Sequence, residues 1–232
     1  MRFDILTLFP EMFQPVFQTS IISRAVSKNI VSFRFVNIRD FSGNKHRRVD
    51  DYPYGGGPGM LMMAQPIYDA YKSLSCDEDC RCLENTDSPL VVYLSPKGRL
   101  FDQQLAFDLS KKSHIIFVCG HYEGVDQRLI DEIVDLELSV GNYVLTGGEI
   151  PCMTVVDAVT RLLPGVLSSS DSFRDESFSE GLLEYPQYTR PPVFMGRRVP
   201  DVLLSGNHAE IKKWKSDESI RLTISRGKSD GL

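Results

Sequence analysis

The chain has 232 residues, 42% of them hydrophobic and 25% charged, with a formal net charge of −5. Those proportions exclude a disordered chain, a collagen-like repeat and a small stapled scaffold. The length fits one or two domains and allows a real core. No run of about 18 apolar residues exists, so no membrane span is expected. Met1-Arg2-Phe3-Asp4 does not read as a secretory signal, and a cytoplasmic location is expected. The pI near 5.4 argues against bulk binding of DNA, but a local basic patch can still contact RNA.

Taken in chain order, Phe3 to Leu8 is a short apolar run that reads as a buried strand. Val31, Phe33 and Phe35 alternate with polar residues, a second strand. Arg39 to Asp51 is polar and basic and predicts a loop, continued by Tyr54 to Met60. Ala64 to Leu74 has helical spacing. Ser75 to Ser88 is acidic and carries Cys76, Cys80 and Cys82, and it reads as a surface insertion. Three sulfurs at that spacing without a nearby histidine do not match a zinc site, so no metal is predicted there.

Leu90 to Leu94 and Ile115 to Cys119 are continuous apolar runs ending at turn residues, the pattern of parallel strands buried on both faces. Helical segments follow each, Asp102 to Ser110 and Asp126 to Asp135. Leu136 to Val140 predicts another strand, and Thr154 to Leu163 an amphipathic helix ending before Pro164-Gly165. Alternating strands and helices predict an α/β fold with a parallel sheet. Beyond Val166 the composition changes. Residues 1–167 are expected to form the first domain, 168–175 a linker, and 176–232 a small, mainly helical second domain with one clear helix from His208 to Trp214. Basic residues gather there, among them Arg190, Arg197 and Arg198.

Gly55-Gly56-Gly57-Pro58-Gly59 is neither a P-loop nor a dinucleotide fingerprint, since no Lys-Ser/Thr follows and the third glycine position is Met60. It offers either a tight structural loop or backbone that another molecule approaches closely. Arg39, Lys45, Arg47 and Arg48 upstream favour a phosphate-bearing partner. Three glycine-bearing turns follow predicted strands: Ser95 to Gly98, Gly120 to Gly124, and Gly141 to Tyr143. In open α/β sheets ligands bind outside the carboxyl ends of the strands. The turns either converge on one pocket suited to an adenosine-containing ligand or simply close the chain.

Longer motifs decide between these readings. FPEMF (Phe9 to Phe13), VDDYPYGGGPGM (Val49 to Met60), YLSPKG (Tyr93 to Gly98), CGHYEGVDQR (Cys119 to Arg128), SVGNYVLTGGE (Ser139 to Glu149) and LLSGNHAEI (Leu203 to Ile211) occur in this order. In these the chain resembles the bacterial tRNA (guanine-N1-)-methyltransferases of the trefoil-knotted SPOUT superfamily. The resemblance implies a deep trefoil knot in the first domain and an obligate homodimer with active sites shared between subunits. It implies transfer of a methyl group from S-adenosyl-L-methionine to N1 of guanosine 37 in tRNA, with Mg2+ assistance, and a second domain that helps grip the anticodon arm.

The resemblance also assigns roles. S-adenosylmethionine would be held by Leu94, Ser95 and Pro96, by Gly120, Tyr122, Glu123 and Gly124, and by Val140, Gly141, Asn142, Tyr143, Val144, Leu145, Gly147, Gly148 and Pro151. RNA contacts would come from Arg47, Arg48, Asp50, Gly57, Gly59, Met60, Arg190 and His208. Guanine N1 is not nucleophilic while protonated, so a general base is required. Charge then builds toward O6 and needs a cation or amide donors. Arg161 matches the family's arginine. The family's base is an aspartate before Ser-Phe; here Arg174-Asp175-Glu176-Ser177-Phe178 puts Glu176 in that register, with Asp175 as the alternative. Asp171-Ser172-Phe173 imitates the motif but lies out of register.

Overall fold

The computed structural model describes residues 1–75, 88–167 and 181–229. The chain divides into two compact units, Met1–Ser168 and Ser169–Leu232. The expected linker at 168–175, the cluster of Cys76, Cys80 and Cys82, and both candidate bases, Asp175 and Glu176, lie outside the described residues.

In the first unit, β1 (Arg2–Thr7) leads through a 3-10 turn at Pro10–Met12 into α1 (Gln14–Phe17) and α2 (Ser20–Ser27), then β2 (Ser32–Asn37). The predicted basic loop contains a 3-10 turn at Ile38–Phe41 and β3 (Asp50–Asp51), which pairs with β4 (Leu61–Met62). Then come α3 (Ala64–Ser75), β5 (Leu90–Leu100), α4 (Gln103–Ser110), β6 (His114–Cys119), α5 (Gln127–Ile133), β7 (Leu136–Ser139) and α6 (Glu149–Thr160). The expected α/β architecture is present: β2-β1-β6-β5-β7 form one five-stranded, all-parallel sheet.

The continuous apolar runs have a direct cause, because both faces of the sheet are covered. Phe3, Ile5, Ile115, Phe117, Val92 and Leu94 face one core with residues of α1, α2, α4 and α6. Leu6, Ile116, Val118, Val91 and Tyr93 face the other with residues of α3 and α5. Asp102 and Asp126 cap α4 and α5, accepting from the backbone N–H of Leu105 (2.7 Å) and Arg128 (3.0 Å).

Three expectations need correction. Ser95 to Gly98 is not a turn after a finished strand. β5 continues to Leu100, and Leu94 and Arg99 both pair with Leu138, so the intervening residues bulge from the ladder. The helix placed at Thr154 to Leu163 starts five residues earlier, at Glu149, and ends at Thr160; its buried face of Pro151, Cys152, Val155, Val156, Val159 and Thr160 lies opposite the exposed Ile150, Thr154 and Asp157. Pro151 lies in the first turn, where its missing N–H costs no helix bond. The helix at His208 runs far past Trp214.

The second unit contains the hairpin β8 (Val193–Phe194) and β9 (Arg197–Arg198), then α7 (Asp201–Leu204) and α8 (His208–Ser229). Asn207 caps α8 by accepting from Ala209 N–H. The second half of α8 is polar, so hydrophobic periodicity does not reveal it. It is supported by the Glu218–Arg221 pair and by Thr223, whose hydroxyl accepts from Leu183 N–H.

Within the sheet, Asp4 is fully buried and takes hydrogen bonds from His114 Nε2 (2.9 Å) and Arg2 Nε (2.9 Å). Burial pushes its carboxyl up, but the His114 and Arg2 bonds outweigh that and hold it below the usual carboxylate range. A lowered folded value stabilises the protein above the unfolded value of about 3.9, and the gain disappears as pH falls through the folded value. Asp4→Asn should cost about 1–3 kcal/mol at pH 7. In denaturant unfolding the gap to wild type should narrow below about pH 4. A gap that stays constant down to pH 3 would refute this role.

Candidate active site

At one edge of the parallel sheet the bulge within β5 and the loops after β6 and β7 meet over a cavity of about 500 Å³. That is the size range of small-molecule and cofactor sites. Of the residues assigned above to the methyl donor, all but Asn142 line it. β5 contributes Leu94 and its bulge Ser95 and Pro96, and the loop after β6 contributes Gly120, Tyr122, Glu123 and Gly124. The loop after β7 contributes Val140, Gly141, Tyr143, Val144, Leu145, Gly147 and Gly148, and α6 contributes Pro151.

The loops are joined to one another through backbone. Gly148 N–H donates to Gly120 O (2.9 Å), and His121 and Gly147 form an isolated bridge. Gly98 packs so closely on β7 that a Cβ there would sit 2.4 Å from Glu137 C and Leu138 N. The glycine-rich segment is stitched to the same place. Glu123 N–H donates to Met60 O (3.0 Å), Met62 N–H to Gly124 O (2.9 Å), and Gly59 lies against the Glu123 side chain. The glycine-rich segment and the cavity loop are therefore one packed structure.

Several lining residues carry charge or polarity that sequence reasoning did not single out: Tyr93, Lys97, His121 and Glu137. The Tyr93 hydroxyl is pushed up to about 12 by burial and by the Glu137 carboxylate, against a hydrogen bond with the Val125 backbone. It stays protonated through the physiological range. His121 Nε2 donates to Glu149 Oε2 (2.7 Å), and Thr7 Oγ1 donates to Glu149 Oε1 (2.6 Å). Neither His121 nor Glu149 repeats with any strand or helix period, and the motifs containing them give no hint that they touch.

The remaining candidates are placed as follows. Arg161 caps the far end of α6. It is not among the cavity lining. At 1.5 Å rise per residue it stands roughly 15 Å along the helix from Pro151. Arg47 pairs with Asp40, and Arg48 donates to the Asp50 carbonyl (2.8 Å) and lies 3.5 Å from Asp51. Asp50 sits in β3, opposite Met62. Gly57 is exposed in the glycine loop. Arg190 and His208 are exposed in the second unit. Among the described residues no three His, Cys, Asp or Glu side chains converge as metal ligands.

A family model described as tRNA (Guanine-1)-methyltransferase TrmD matches residues 1–229. The chain belongs to this family. It is 56% identical over 226 residues to a tRNA (guanine-N(1)-)-methyltransferase of Alkaliphilus oremlandii, covering 97% of this chain and 90% of that protein. It is 54% identical to the protein of the same name from Clostridioides difficile, covering 97% and 95%. The relative from Caldanaerobacter subterraneus is also 54% identical, covering 97% and 89%.

The close packing of Gly98 gives a direct test. Gly98→Ala forces backbone apart, because no flexible side chain stands in the way to yield. It should destabilise the first unit by about 1–3 kcal/mol or more, measured by denaturant unfolding. Wild-type stability for this variant would show that the bulge does not hold the cavity wall.

Proposed function

We propose that the protein transfers a methyl group from S-adenosyl-L-methionine to N1 of guanosine 37 in tRNA. Family membership over nearly the whole chain supports the reaction, and the convergence of the β5 bulge and the loops after β6 and β7 on one cavity is the observation that carries the donor site. The cavity's size, its glycine-lined backbone and its mixture of apolar and polar groups suit an adenosine-containing ligand. S-adenosylmethionine supplies an electrophilic sulfonium methyl when bound.

The protein's part is to bind, orient and move one proton. Glu176, or Asp175 in its place, takes the N1 proton, and Arg161 stabilises the charge that builds on O6. Arg161 lies outside the cavity lining, so the guanine it serves must approach from outside the donor pocket or across a second copy. A homodimer fits this need. Tyr143, Val144 and Ile150 are exposed apolar side chains around the cavity loops, the kind of surface a partner covers. The stacking of the loops after β6 and β7 supports the trefoil knot that the resemblance implies. Mg2+ has no dedicated ligand set among the described residues, and no step is routed through it. The second unit contributes basic residues to the grip on tRNA, in the cytoplasm and without DNA or membrane as a partner. Among the described residues no helix is long and apolar enough to cross a membrane.

Transfer of labelled methyl to tRNA transcripts with guanosine or adenosine at position 37 tests the reading. Only the guanosine transcript should be labelled; equal labelling of both, or of neither, would reject it. Glu176→Gln should slow transfer by about 10²-fold or more, the usual general-base contribution, while Asp175→Asn costs much less. The reverse pattern would assign the base to Asp175.

Arg47→Ala and Arg48→Ala should raise the tRNA KM and flatten the salt dependence of tRNA binding by about one unit of slope each. The ion pairs with Asp40 and Asp51 must first be exchanged for phosphate, so the loss in affinity should be modest. An unchanged salt slope would remove both residues from the interface.

A further inference from the structure

Glu149 is a carboxylate 1% exposed to solvent, and the methyl-transfer chemistry does not use it. Such a group is retained only if it is paired and hydrogen-bonded. Its partners come from two distant parts of the chain. Thr7, at the carboxyl end of β1, donates to one oxygen, and Thr7 Oγ1 in turn accepts from Phe9 N–H (3.0 Å). His121, in the loop after β6, donates to the other oxygen. Glu149 itself opens α6, where the helix N-terminus favours a negative charge.

The surroundings are shaped for this contact. A Cβ on Gly147 would lie 2.2 Å from His121 Nε2 and 2.7 Å from Glu149 Oε2, so only glycine leaves room for the pair. The Phe9 ring meets the imidazole edge-on with centroids 5.0 Å apart. His121 also lines the cavity, and its backbone N–H lies 3.2 Å from Met62 Sδ.

We infer that His121 and Glu149 are a positioning pair for the methyl donor: the buried carboxylate anchors the imidazole, and the imidazole holds the Gly120–Gly124 loop in its ligand-binding shape. His121 is the link through which one buried charge fixes that loop to β1 and α6. Because the loop is also stitched to Met60 and Met62, the pair sets the position of the glycine-rich segment as well. Neither residue takes the guanine proton. The inference rests on the cavity being the donor site.

The test uses the full-length protein with His121→Leu, His121→Gln and Glu149→Gln. The first readout needs no ligand. Hydrogen exchange at the amides of Glu123 and Gly124, which bond Met60 O and His121 O, should speed up about tenfold or more in His121→Leu. The amides of β6 should keep their wild-type rates. The second readout is calorimetric binding of S-adenosylmethionine, with steady-state kinetics. KM for the donor should rise about tenfold in His121→Leu and Glu149→Gln, with kcat within about threefold of wild type. His121→Gln, which can still donate to Glu149, should recover most of the loss. The double variant His121→Leu with Glu149→Gln should be no worse than the poorer single one, as expected of a coupled pair. Unchanged loop exchange in His121→Leu overturns the inference, whatever the activity. Faster loop exchange in a protein whose wild type binds no S-adenosylmethionine would uphold the loop-holding role and defeat the proposed function instead.

Discussion

The structure depends on close backbone contact at the carboxyl edge of a sheet that is buried on both faces. Because helices cover both faces, the exits of β5, β6 and β7 are confined to that edge. The loops there must pack on one another, and they do so through main-chain groups: Gly148 on Gly120, and Gly98 on the backbone of β7. A cavity follows from that crowding, lined by the glycine-bearing segments together with residues such as Tyr93, Lys97, His121 and Glu137. These main-chain contacts hold its wall at fixed positions.

The same crowding links sites that are far apart in sequence. Met60 and Met62 of the glycine-rich segment share backbone bonds with the loop that lines the cavity. Thr7 of β1 reaches Glu149 of α6, 142 residues away, and His121 joins them. The cavity and the glycine-rich segment are thus held by one set of contacts. A substitution that loosens either is expected to be felt at the other.

Much of this was readable from sequence, for physical reasons. Runs such as His114–Cys119 are apolar throughout because both faces are covered, and that pattern marks a parallel strand. The start of α6 was hidden, since Gly147-Gly148 and Pro151 read as punctuation, although Gly148 stands at the N-cap and Pro151 suits the first turn. The far half of α8 was hidden because a polar helix has no apolar stripe to detect. The bulge at Ser95–Gly98 depends on pairing with β7, which no local pattern encodes. The cavity loops were found as glycine-bearing turns, but their roles came from resemblance to a family. His121 and Glu149 were missed because a contact between loops leaves no periodic trace. The carboxylates at 175 and 176 rest on motif register alone.

A crystal structure of the protein grown with S-adenosylmethionine tests the central claim most directly. The account predicts density for the donor in the cavity between Leu94–Pro96, Gly120–Gly124 and Val140–Gly148, with its adenosine against backbone amides and carbonyls. Donor density bound elsewhere on the first unit, with this cavity filled only by water, would contradict it.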